Sequence, residues 1–114
     1  MNIQGLFAVA TVADMARGED FYTRLLGRGP DDRPMEGLIQ WRQSYFGIQL
    51  FEDAARAGRS RMTIVVPDMA ETRAQLAGRG LTLEPEINGD FGKIAQIYDP
   101  DGNQVTLAEP PKGM

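Results

Sequence analysis

"VADMA" (Val12–Ala16) returns as "VPDMA" (Val66–Ala70), one letter changed and about half the chain later. Both copies follow an apolar, strand-like run, Leu6 to Val12 and Met62 to Val66. Both lead on to a Gly-Arg-Gly close, Leu26-Gly27-Arg28-Gly29 in the first and Ala77-Gly78-Arg79-Gly80 in the second. A repeat whose period is half the chain implies two similar modules. The competing reading is a single α+β sandwich with a fortuitous echo.

Working outward from the repeat, each copy reads as strand, helix, then more strands. Ile3 to Val12 is rich in apolar and β-branched residues, as strands are. Asp14 suits a helix N-cap, with Met15, Tyr22, Leu25 and Leu26 at helical spacing and Gly27 as the left-handed stop. Gly18 should soften the middle of that helix. "GPDDRP" (29–34) reads as a loop, and Leu38–Gln43 and Tyr45–Glu52 as two strands. In the second half, Arg61–Val66 is a strand. Asp68 with Glu71 makes a capping box before a stripe of Met69, Leu76 and Ala77, ended by Gly78 or Gly80. Leu81–Ile87 reads as a short edge strand broken by Pro85. Phe91–Tyr98 and Asn103–Ala108 flank Asp99-Pro100-Asp101-Gly102, whose Pro and Gly favour a type I turn. The sum is an α+β chain of two βαβββ modules. Module one spans 1–53, a linker 54–60, module two 61–109 and a tail 110–114.

Composition narrows the chemistry. The 114 residues, 42% hydrophobic and 25% charged, suit one globular domain. There is no cysteine and no histidine. The commonest metal ligand and general base are therefore missing, along with any thiolate site. A net charge of −4 with scattered arginines disfavours a nucleic-acid partner. No run approaches the length of a membrane span, and "MNIQGLF" lacks the character of a signal peptide, so the expectation is a cytoplasmic protein without a membrane partner.

At this point "VADM…FYTRLLG", the closing "YDPDGNQVTL" and the internal repeat together resemble the vicinal oxygen chelate superfamily, over nearly the whole chain. That group includes glyoxalase, bleomycin-resistance proteins and extradiol dioxygenases. The resemblance implies paired βαβββ modules forming a curved mixed sheet around a cleft, helices on the outer face, often in a homodimer. In the enzymes of the group a divalent metal sits in the cleft. Carried over one by one, its ligand positions fall on Phe7, Gln49, Arg61 and Thr106. A hydrocarbon ring, an amide, a cation and a hydroxyl cannot hold such an ion. Glu52 and Glu109 each lie three residues beyond an expected position, so strand alternation turns them to the other face. No metal cofactor is expected.

The same alternation separates two faces. Met62, Ile64 and Val66, Ile48 with Leu50, and Val105 with Leu107 should pack under the helices. The other face carries Phe7, Val9, Thr11, Gln49, Phe51, Arg61, Thr63, Gln104 and Thr106. Apolar area with a few polar groups is what a ligand cleft needs. The candidate ligand-binding residues are Phe7, Trp41, Gln49, Phe51, Arg61, Gln96 and Thr106, with Tyr45 and Tyr98 as possible additions. Plainer readings stand beside these. Gln49, Gln104 and Thr106 suit a solvated face, and Phe7 a core or dimer interface. Arg61 suits a solvent-exposed rim or, turned inward, a clamp for carboxylate or phosphate. Asp99 and Asp101 read as turn residues, Asp14 and Asp68 as caps. No catalytic set emerges, because the hydroxyls have no histidine partner and Lys93 and Lys112 have no evident activating neighbour. The expectation is a metal-independent binder of a small organic molecule, of the bleomycin-resistance type. The alternatives are a glyoxalase- or dioxygenase-like enzyme with atypical ligands, and a non-catalytic interaction dimer.

Overall fold

A computed structural model describes residues 1–112. The repeat becomes two four-stranded sheets with one helix each. Module one runs β1 (Leu6–Val12), α1 (Met15–Leu26), β2 (Asp32–Met35), β3 (Leu38–Gln43) and β4 (Phe46–Glu52). Module two runs β5 (Arg61–Val65), α2 (Met69–Gly78), β6 (Ile87–Gly89), β7 (Gly92–Tyr98) and β8 (Gln104–Glu109). The strand orders are β1-β4-β3-β2 and β5-β8-β7-β6. In each sheet the first strand lies parallel to the last, and the other neighbours are antiparallel. Two modules of one design are what the sequence repeat implied. The last two residues of the 110–114 tail lie outside the described residues.

Local chemistry sets the helix ends. The Asp14 carboxylate accepts from the Arg17 amide, and Gly27 takes the left-handed conformation at φ 79°. Asp68 accepts from the Glu71 amide at 2.9 Å, but the Glu71 carboxylate turns away to Gln75, leaving the capping box half made. Gly18 does not soften α1. A Cβ there would lie 3.1 Å from both γ carbons of Val12, so its absence lets the helix settle on β1.

Several expectations need correction. β1 begins at Leu6 because Ile3–Gly5 have no strand opposite them; pairing starts where Leu6 meets Phe46. Asp32–Pro34, read as loop, belongs to β2, an irregular edge strand whose Pro34 costs no ladder bond on its outer side. Leu81–Glu86 is not a strand; a single bond from the Glu84 amide to the Gln96 carbonyl ties it to β7. Ala77 is exposed, and the buried face of α2 is Met69 and Leu76.

One core joins the modules. Ala10, Phe21, Tyr22, Leu25, Trp41 and Leu50 from the first meet Met62, Met69, Leu76, Ile97 and Val105 from the second. The Asp99 turn locks the seam. Asp99 is 5% exposed, and its carboxylate accepts from the Tyr22 hydroxyl at 2.9 Å. It also accepts from the amides of Asp101 and Asn103 and from Asn103 Nδ2. Asn103 Nδ2 reaches the Thr11 carbonyl as well, and the Thr11 amide donates to Ser60 Oγ. Turn chemistry was therefore half of Asp99's role; the other half is to fasten module two to module one. No helix among the described residues is long and apolar enough to cross a membrane.

Candidate functional site

Strand register sorts the side chains into rows on the face of each sheet away from the core. In module one the rows are Phe7–Gly47–Arg42, then Val9–Gln49–Gln40–Asp32, then Thr11–Phe51–Leu38. In module two they are Arg61–Gln104–Tyr98, then Thr63–Thr106–Gln96, then Val65–Ala108–Ile94. The expected assignment of faces holds: Leu50, Met62, Val105 and Leu107 are buried on the core side, with Ile48 and Ile64 packed against them.

The middle rows of the two sheets match in chemistry as well as position. Gln49 Nε2 donates to Gln40 Oε1 at 2.9 Å, and Thr106 Oγ donates to Gln96 Oε1 at 2.6 Å. In module one the chain continues, with Gln40 Nε2 donating to Asp32 and the Arg42 guanidinium paired to the same carboxylate. The Arg42 hydrogen bond, then that of Gln40, holds the Asp32 carboxyl below its ordinary range. Each sheet thus presents an ordered polar pair flanked by apolar side chains. Exposed among them are Val9 (41%), Phe51 (37%), Val65 (65%) and Tyr98 (46%).

The seven candidate residues separate into three groups. Phe7, Gln49 and Phe51 share the open face of module one, and Arg61, Gln96 and Thr106 that of module two. Phe7 stays half-buried because its ring lies across Gly47, where a Cβ would come within 2.6 Å of it. Trp41 stands apart. It pairs with Ile48, so it faces the core; it is 3% exposed and donates its indole N–H to the Arg28 carbonyl at 2.9 Å. Tyr45 sits in the β3–β4 turn, 78% exposed. The residues missed by sequence reasoning are Gln40 and Asp32. Gln40 is found by placing β3 against β7, but only once its pairing with Gln49 is known.

A cavity of about 600 Å³ runs beside Leu6, Leu26, Trp41, Phe46, Ile48 and Ile64, and one of about 280 Å³ lies between the end of α1 and α2. Neither takes a wall from Phe7, Gln49, Phe51, Arg61, Gln96 or Thr106.

The donor set does not fit a divalent metal. Phe7 and Arg61 offer no lone pair, which leaves only two neutral oxygens, those of Gln49 and Thr106, beside a fixed cation. The two displaced carboxylates are committed elsewhere. Glu52 accepts from the Met15 amide at 2.8 Å and Glu109 from the Met69 amide at 2.6 Å, each closing the first turn of its module's helix. Among the described residues no group of three or more acidic, histidine or cysteine side chains gathers.

With this geometry the solved structures can be compared. A glyoxalase/bleomycin resistance protein from Catenulispora acidiphila superposes with a TM-score of 0.87 at 26% identity, over 94% of this chain and 98% of that one. The chain has the glyoxalase/bleomycin-resistance fold of the vicinal oxygen chelate superfamily. An antibiotic-binding protein from a Streptomyces species shares it, with a TM-score of 0.78 and 24% identity over 97% of both chains. So does a bleomycin-binding protein solved with bleomycin, with a TM-score of 0.75 and 19% identity over 97% of this chain and all of that one. No family model and no curated protein matches the sequence.

Proposed function

We propose that this protein binds and sequesters a small organic molecule without a metal, on the open faces of its two sheets. The observation that carries this reading is the pairing of exposed apolar side chains (Val9, Phe51, Val65, Tyr98) with fixed amide and hydroxyl groups at the same register on both sheets. Apolar area supplies affinity and the ordered polar groups supply orientation. The antibiotic- and bleomycin-binding relatives of the same fold support the class of ligand. A homodimer completes the site, module one of one copy facing module two of the other. Large apolar side chains left open on both sheets of a single chain favour such a self-complementary closure.

The test is thermal unfolding of the untagged protein against a panel of polycyclic aromatic compounds, with and without chelator, alongside its metal content. A bound ligand raises Tm by mass action. The expected result is stabilisation that survives chelator, with metal far below one equivalent per chain. Stoichiometric, tightly held metal, or stabilisation that chelator abolishes, overturns the reading in favour of an enzyme.

A further inference from the structure

We infer that the ligand of the open faces carries an anionic group, and that Arg61 is the residue that selects it. The inference rests on the binding reading above and adds the ligand's charge.

Charge bookkeeping on the two faces leads there. The rows of both sheets hold two guanidiniums, Arg42 and Arg61, and one carboxylate, Asp32. Asp32 is taken by Arg42 and Gln40. Arg61, exposed at the start of β5, has no ion pair or side-chain hydrogen bond among the described residues, and neither has Arg59 two positions before it. Elsewhere arginines are mostly engaged. Arg24, Arg28, Arg33, Arg42 and Arg56 meet carboxylates, while Arg73 and Arg79 meet backbone carbonyls. The paired rows therefore hold one more guanidinium than carboxylate, on a chain whose overall charge is −4.

Position makes that charge useful. Between the two arginines, Ser60 turns its hydroxyl to the Thr11 amide, so Arg61 starts at the seam where β1 and β5 approach. Thr11 is opposite Phe51, and Arg61 is opposite Gln104, which is opposite Tyr98. Arg61 thus starts the row that ends in Tyr98, across the Ser60–Thr11 seam from the row that carries Phe51. A planar anion, carboxylate or sulfonate, would lay its rings on the apolar side chains and its oxygens on the guanidinium fork.

The test uses two dyes that differ by one group: 8-anilinonaphthalene-1-sulfonate and its uncharged parent, N-phenyl-1-naphthylamine. Fluorescence titration should show the sulfonate binding about tenfold tighter, the scale of one charge-assisted hydrogen bond at a partly solvated site. Arg61→Gln should erase that preference, bringing the two dyes' affinities together, while Arg61→Lys should restore part of it. Phe51→Ala should weaken both dyes. If Phe51→Ala weakens both but Arg61→Gln leaves their ratio alone, the charge inference is overturned and the site stands. If Phe51→Ala affects neither dye, or neither binds, the site reading fails and the inference with it.

Discussion

The two modules share a plan down to register and differ in what hangs on it. Where module one places Phe7 over Gly47, module two places Arg61 beside Gln104. Where module one turns from β3 to β4 through Ser44-Tyr45, module two turns from β7 to β8 through Asp99–Asn103. The shared features are those that hold a module together: an aspartate cap, a parallel first and last strand, and a glutamate at the end of the last strand closing the helix. The differing features lie on the open faces of the sheets or cross the seam to the other module. The contacts inside each scaffold are the same in both modules, and the open faces are where they differ.

Removing the Asp99 turn's carboxylate breaks the comparison where it is most lopsided, since module one has no counterpart. Asp99→Ala strands the Tyr22 hydroxyl and the backbone N–H groups of Asp101 and Asn103, and leaves the Asn103 side chain only its Thr11 and Ser60 partners. At about 1–3 kcal/mol for each buried donor left unpaired, the expected loss is about 3–5 kcal/mol. Urea unfolding measures it, and a loss under about 1 kcal/mol would show that the modules hold together by apolar packing alone.

The glutamates that close the helices give a sharper comparison, because here the modules correspond. Glu109 is 5% exposed and Glu52 lies in the open. Both serve a free amide at a positive helix end. Glu109→Ala should cost about 2 kcal/mol and Glu52→Ala about 1 kcal/mol or less, the difference being water's access to the orphaned amide. Equal losses in urea unfolding would mean that burial is not what separates them.

Much of this was legible before the structure, for reasons the pairs make plain. The repeat and the caps are local signals, so the modules, the helix starts and the core-facing strand residues could be read directly. The turn of Glu52 and Glu109 toward the helices followed from alternation alone. Trp41 was misplaced because Leu38, Ile39 and Trp41 put apolar side chains on both faces of β3, and no alternation survives to fix its phase. β2 was missed because an edge strand with Asp32, Arg33 and Pro34 has the composition of a loop. Asp99's hold on Tyr22 spans most of the chain and leaves no spacing to find.

That hold also gives the seam a pH signature. Burial, then the Asp99 carboxylate, pushes the Tyr22 phenol far above the ordinary tyrosine range. A group whose pKa is raised by folding gives its full stability below the unfolded value and loses it as pH climbs. Above about pH 10 the unfolded chain releases the Tyr22 proton while the folded chain keeps it, so the unfolded state binds fewer protons and stability falls. The slope is about 1.4 kcal/mol per pH unit, which amounts to about 1.4 kcal/mol by pH 11. Tyr22→Phe should be less stable at pH 8, having lost the hydrogen bond, yet should lack this share of the alkaline decline. Unfolding free energies of both proteins at pH 8 and 11 decide it: parallel declines would place the proton's release outside the seam, and a flatter line for the variant would place it at the single hydroxyl that crosses from module one to Asp99.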